Sequence, residues 1–147
     1  MDAVIFCGIQ AAGKTTFFLQ RFATTHVRIS LDVLGNRARE RKVLDECLAA
    51  RRPFVVDNTN VRRADRAIYV AAAKAQGFRV ICYYFATDPK AALSRNRQRE
   101  GKAVIPAGGL FATHKRLEPP SLAEGFDALF RVEITDPGAF AVTPMTV

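Results

Sequence analysis

The chain has 147 residues, and its 22 lysines and arginines outnumber its 14 aspartates and glutamates, giving a formal charge of +8. That length suffices for one hydrophobic core without disulfide or metal staples, and no apolar run approaches the length of a membrane span. The basic balance favours polyanionic partners, nucleic acid among them, over membranes.

One domain over residues 1–147 is expected. The first apolar run starts almost at Met1, which leaves no room for a signal peptide and points to the cytoplasm. Cys7, Cys47 and Cys82 are odd in number, widely spaced and each inside an apolar stretch. They read as small core residues with no disulfide partner.

In chain order, residues 3–7 are a short apolar run suited to a buried strand, and residues 16–23 lack glycine and proline and suit a helix. Between them lies Gly8-Ile9-Gln10-Ala11-Ala12-Gly13-Lys14-Thr15, which satisfies G-x-x-x-x-G-K-[ST] without a mismatch. Strand, loop, helix is the context this phosphate-binding pattern requires. At average composition the fixed positions coincide by chance in roughly one chain of this length in two hundred, so an ordinary glycine-rich turn is the weaker reading. Gly8 and Gly13 let successive N–H groups turn inward around phosphate oxygens at the positive end of the helix. Gln10, Ala11, Ala12 and Thr16 complete the ATP cradle. Lys14 reaches the β- and γ-phosphates, and the Thr15 hydroxyl is placed to ligate magnesium.

Further apolar runs at residues 27–31, 54–56, 79–85 and 129–134 read as strands two to five. Between them, residues 37–50 carry a stripe of Val43, Leu44, Cys47 and Leu48. Residues 61–76 carry a second stripe, with Asn60 as N-cap and Gly77 as the stop. A third helix starts at Thr87-Asp88-Pro89 and stops near Gly101. Strands alternating with helices imply a parallel sheet covered on both faces, whose ligands gather at the carboxyl edge. Asp32 and Asp57, just beyond strands two and three, then face the same crevice as the phosphate loop. There they serve a metal or a proton, or else simply cap the next helices.

On the third helix, 100° spacing puts Asn96, Arg97 and Glu100 on the side of Ala92 and Leu93, with Arg95 and Arg99 more outward. That end either overhangs a polar site or leaves the core for solvent. Residues 101–109 read as a loop which, with Lys102, Lys115 and Arg116, resembles a mobile basic cover over the phosphates. His26 and His114 read as surface or packing residues. The tail, 135–147, reads as a turn at Asp136-Pro137-Gly138 followed by a poorly ordered end.

With these residues in view, the chain resembles the kinase domain of the polynucleotide kinase family, which phosphorylates 5′-hydroxyl ends. The resemblance rests on the P-loop, on Ser30-Leu31-Asp32-Val33-Leu34-Gly35, on Val55-Val56-Asp57-Asn58-Thr59-Asn60, and on Asn96-Arg97-Gln98-Arg99-Glu100 followed by Ile105-Pro106 and Glu124-Gly125-Phe126. It implies a three-layer, nucleoside-kinase-like P-loop NTPase fold with a five-stranded parallel sheet and a basic lid over about residues 95–116. It also implies ATP and Mg2+ as cofactors, Asp32 as the general base, Lys14 and Arg97 at the transferred phosphoryl group, and Asp57 at the Walker B position supporting the metal or anchoring a basic residue. Arg39 matches a basic position for the acceptor's phosphate, and Asn58 joins Asp32, Asp57 and Arg39 on the acceptor side.

Gln10 and Ala11 stand where the animal enzymes have proline and glycine, and no D-x-D-G-T phosphatase signature is present. The loop is closer to that of bacterial stand-alone AAA-type P-loop ATPases, with G-x-Q-A-[SA]-G-K-[ST]. The expected activity is transfer of the γ-phosphoryl group of ATP to a hydroxyl, with the 5′ end of DNA or RNA as acceptor. A nucleoside or sugar kinase and an ATP-binding switch without an acceptor are the alternatives.

Overall fold

The computed structural model describes residues 1–97 and 107–147, apart from the side chains of residues 96, 97 and 107. Strand β1 (Asp2–Cys7) lies mid-sheet, pairing in parallel with β3 (Phe54–Val56) on one side and β4 (Arg79–Phe85) on the other. Outside these lie β2 (Val27–Ile29) and β5 (Ala128–Asp136), also parallel. A further strand, β6 (Ala139–Pro144), runs antiparallel beside β5, so the order is β2-β3-β1-β4-β5-β6.

Alternation along β1 explains why the sheet needs cover on both faces. Ala3, Ile5 and Cys7 join one buried cluster with Leu44, Cys47 and Leu48 of α3 (Arg37–Ala50) and Tyr69, Val70 and Ala73 of α4 (Arg63–Ala75). Val4 and Phe6 join another with Phe17 and Phe18 of α1 (Lys14–Arg21) and Ala92 of α5 (Pro89–Arg97). A continuous apolar run with both faces buried is what a parallel strand under helices requires. All three cysteines are buried and unbridged, and burial pushes the Cys7 thiol up to about 11.

The expected parallel sheet is present, with differences at its margins. Among the described residues it has six strands rather than five. The tail expected to be poorly ordered instead forms β6. Gly138 at φ +77 closes the turn, and Phe140 and Val142 pack against the aromatic cluster behind the phosphate loop. Residues 30 and 31, read as strand, leave the sheet at once to form the single helical turn α2 (Leu31–Leu34). The stretch read as a loop up to residue 109 becomes helical from α6 (Ala107–Arg116), where fully buried Leu110 and nearly buried Thr113 override the low propensity of two glycines. Helix α4 is capped at Arg62, not Asn60. Asn60 stands at φ 46 and donates from Nδ2 to Phe6 O at 2.8 Å, pinning the chain after β3 onto β1.

Candidate active site at the phosphate loop

The carboxyl ends of β1, β2 and β3 lie side by side, so the loop after β1, the turn after β2 and the segment after β3 converge. The Gly8 N–H donates to Thr59 O at 2.9 Å, joining the first and third of these directly. Gly8 is glycine for packing: a Cβ there would stand 2.8 Å from the Cβ of Phe85. Gly13 is glycine for conformation, at φ +88 in the left-handed region that disfavours any side chain. Ala11 also lies there, at φ 59, where the resembled animal enzymes have glycine.

Two cavities meet at this edge. The smaller, about 170 Å³, is lined by residues 10–16 with Arg28, Ser30, Asp32, Asp57, Asn58 and Thr59. The larger cleft, about 800 Å³, runs between α3 and α4 and includes Leu31, Asp32, Arg37, Glu40, Tyr69 and Arg116. Gln10, Asp32, Asn58 and Thr59 line both.

Lys14 folds its ammonium over the loop, donating to Gly8 O at 2.8 Å and Ile9 O at 2.6 Å. Asp32 is exposed within the first turn of α2, and Ser30 holds the N-cap position, so capping does not account for the aspartate. Among the described residues Asp32 has no hydrogen-bond or ion-pair partner. Asp57, by contrast, is buried, and its Oδ2 accepts from Arg28 at 2.8 Å. Arg28 Nη2 also donates to Thr15 Oγ1 at 3.1 Å.

The donor set expected for magnesium is thus a hydroxyl and a carboxylate, oxygen ligands of the kind a hard cation takes. Both already converge on one cationic group, the Arg28 guanidinium, so these oxygens would hold a metal only with that group moved aside.

Asn58 is engaged at both ends: Oδ1 accepts from Leu31 N at 2.8 Å and Nδ2 donates to Glu40 Oε2 at 2.8 Å. Arg39 is not brought to either cavity. It is exposed, and Nη1 reaches Leu34 O at 3.4 Å, so the arginines on the cleft side of α3 are Arg37 and Arg41 instead. The backbone of Arg97 ends α5, while its side chain, residues 98–106 and hence Lys102, Arg99 and Glu100 lie outside the described residues. Arg95, read as outward-facing, turns onto the loop, with Nε donating to Ala11 O at 2.7 Å. Helix α5 therefore overhangs the phosphate loop. From α6, Thr113 Oγ1 accepts from Gln10 Nε2 at 3.1 Å.

Arg28 and Glu40 line these cavities, and the sequence reading passed over both. Each carried a signal: Arg28 is a charge inside the apolar run Val27–Ile29, and Glu40 lies four residues before Leu44 on the buried stripe of α3.

Asn60, which closes the Val55–Asn60 motif, and Glu124, which opens Glu124-Gly125-Phe126, are held together as scaffolding by Arg66. Fully buried Arg66 binds Glu124 through Nε at 2.8 Å and Nη2 at 2.9 Å, and its Nη1 donates to Asn60 O at 2.8 Å. The Asn60 and Glu124 segments are thereby clamped beneath the site.

Known structures share this architecture. A gluconokinase from Sinorhizobium meliloti 1021 superposes with a TM-score of 0.64 at 20% identity, covering 93% of this chain and 85% of that one. A fungal RNA kinase gives 0.68 at 17% identity over 92% of this chain, which spans only 39% of that longer protein. Chaetomium thermophilum Kti12, solved with ADP-AlF3, gives 0.64 at 17% identity over 91% of this chain and 90% of that one. Identities this low show a shared P-loop kinase-like fold. The family model described as an AAA domain matches residues 4–120, most of the chain, and the protein belongs to that family.

Proposed function

We propose that the protein is an ATP-dependent phosphotransferase that moves the γ-phosphoryl group to a hydroxyl, with the 5′-hydroxyl end of a DNA or RNA strand as acceptor. The observation that carries this reading is Asp32, a carboxylate without a partner among the described residues that lines both the small phosphate cavity and the wide cleft. In that position it takes the proton of an acceptor hydroxyl. The freed oxygen bonds the γ-phosphorus as the bond to the β,γ-bridging oxygen breaks, and ADP leaves.

The loop amides and Lys14 hold the phosphates in line and offset their charge. Thr15 and Asp57 would hold magnesium, which when bound neutralises charge on the β- and γ-phosphates. Arg97, at the end of α5, is assigned by resemblance to the transferred group.

On the acceptor side, Arg37, Arg41, Arg62 and Arg116 line the cleft beside apolar Leu31, Val61 and Ile68, the last 57% exposed. Arginine beside exposed apolar surface suits phosphodiesters and bases, whereas a sugar presents several hydroxyls that each need a polar partner. The size of the cleft, about 800 Å³, favours a second reading, a small-molecule kinase, because pockets for such ligands reach that volume.

Incubation with labelled ATP, magnesium and either 5′-hydroxyl oligonucleotides or a panel of nucleosides and sugars separates the two. End-labelled oligonucleotide supports the first reading. ADP release only with small hydroxyl compounds replaces it with the second.

A further inference from the structure

Glu40 is 4% exposed yet carries a carboxylate into the wall of the cleft. A buried charge is unfavourable unless each oxygen finds donors. Here every one does. Oε1 accepts from Tyr69 Oη at 2.5 Å and Arg37 Nη1 at 3.0 Å, and Oε2 accepts from Asn58 Nδ2 at 2.8 Å.

The last of these bonds leads toward Asp32. A carboxylate cannot donate and a backbone N–H cannot accept, so the Asn58 amide has one allowed orientation: Nδ2 to Glu40 and Oδ1 to the Leu31 N–H. Leu31 opens the four-residue turn α2, which carries Asp32. A helix of one turn has little stability of its own, so its direction is set from outside.

We propose that Glu40 is a positioning residue for Asp32: through Asn58 it fixes the Leu31 amide and with it the turn that presents the candidate base. This rests on the reading of Asp32 as that base. Neutral glutamine at position 40 can turn its own NH2 toward Asn58, and an Asn58 amide flipped to accept from it no longer accepts from the Leu31 N–H, a state that the carboxylate excludes. Through the Tyr69 hydroxyl the same carboxylate joins α3 to α4 at the wall of the acceptor cleft.

The test combines amide hydrogen exchange with steady-state kinetics on the full chain carrying Glu40→Gln. Glutamine keeps the size but replaces one acceptor oxygen with a donor, so it cannot receive all of these bonds. The Leu31 amide is expected to exchange about tenfold faster, as for loss of one hydrogen bond, while amides of β1 such as Ile5 keep their protection. The kcat for transfer falls by about tenfold with KM for ATP unchanged, as for a displaced catalytic group.

Asn58→Leu gives the same pattern, and the double variant is no slower than the slower single one because both cut the same chain of bonds. Unchanged exchange at Leu31, multiplying kinetic effects, or exchange that accelerates equally through the whole chain each overturn the proposal. Glu40→Asp keeps the buried charge but withdraws it from Asn58, and carries the same expectation if Glu40→Gln does not fold. A wild-type protein that transfers to no acceptor sinks the phosphotransfer reading, while exchange at Leu31 still decides whether Glu40 fixes the turn.

Discussion

Arg28 grips Asp57 with two nitrogens, Nε and Nη2, each 2.8 Å from the same carboxylate oxygen, and Nη2 also reaches the Thr15 hydroxyl at 3.1 Å. The guanidinium bridges the Thr15 hydroxyl, which the loop pattern assigns to magnesium, and the Asp57 carboxylate, which the resemblance assigns to the metal or to a basic residue. Replacing it by Arg28→Gln leaves Asp57, only 3% exposed, without a counter-ion. Because the Arg28 side chain is itself 27% exposed, the expected loss is about 1–2 kcal/mol, below that of a fully buried pair. Magnesium without nucleotide should then raise the Tm of the variant more than that of the wild type. Equal responses would mean that the guanidinium and the metal do not share a site.

Asp32→Asn removes the candidate base while keeping its shape. Transfer should fall by about 10²–10⁴-fold with ADP affinity unchanged, as for loss of a general base. Stability should hold, because Asp32 bonds no other described residue. If instead a slow hydrolysis without acceptor persists at the wild-type rate and no acceptor is ever phosphorylated, the chain is an ATP-binding switch.

What could be read from the sequence follows from how local each signal is. The phosphate loop was complete in residues 8–15, since its glycines, lysine and threonine act within one strand–helix junction. Asp32 and Asp57 were placed by strand ends alone. The Arg28–Asp57 and Glu40–Asn58 pairs span 29 and 18 residues and depend on which strands neighbour in the sheet, which no local pattern states. Residues 30–31 read as strand because their composition continues the apolar run, yet the chain must turn there to present Asp32. Strand β6 was concealed by its terminal position and Pro144, although its alternation of Phe140 and Val142 was present.

His26 supplies a pH prediction. Its ring packs edge-on against Phe22 at 4.9 Å, with Nδ1 at 2.7 Å from Thr25 Oγ1 and Nε2 buried without a partner among the described residues. Burial lowers its pKa from the ordinary value, only partly opposed by the nearby Asp2 carboxylate. Between the lowered folded value and the unfolded value near 6.5, the unfolded chain binds more protons. This contribution to stability is therefore present above about pH 6.5 and lost as pH falls through the folded value. Denaturant unfolding of the wild type and His26→Phe across pH 5–8 should show a shallower decline on the acid side for the variant. Parallel curves would refute the assignment.

Removing one partner of the Arg66–Glu124 clamp should cost more than breaking any surface pair, with side chains 0% and 5% exposed. Glu124→Gln is expected to cost about 3 kcal/mol, because it strands a buried guanidinium. Replacing both residues by methionine should recover much of that loss, since the pair's desolvation is then no longer required. A double variant as unstable as the single one would show that the bonds from Arg66 to the Asn60 and Val61 carbonyls carry the stability instead.

Phe140 links the last strand to the phosphate loop. A Cβ on Gly13 would lie 2.9 Å from Cε1 of Phe140 and 3.1 Å from Cδ1 of Ile134, and the Phe140 ring packs edge-on against Phe17 at 5.1 Å. The edge strand thus forms the back wall of the loop where α1 begins. Phe140→Ala should destabilise by about 2 kcal/mol, below the range for a fully buried aromatic because the side chain is only half-buried. It should also weaken ADP binding, since the loop loses its support. Gly13→Ala should weaken ADP binding by about tenfold even with Phe140→Ala, because relieving the clash leaves φ at +88, which costs an alanine about 1–2 kcal/mol. Calorimetric titration of ADP into the three variants separates the two contributions. Restored binding in the double variant would mean that space, not backbone angle, keeps position 13 a glycine.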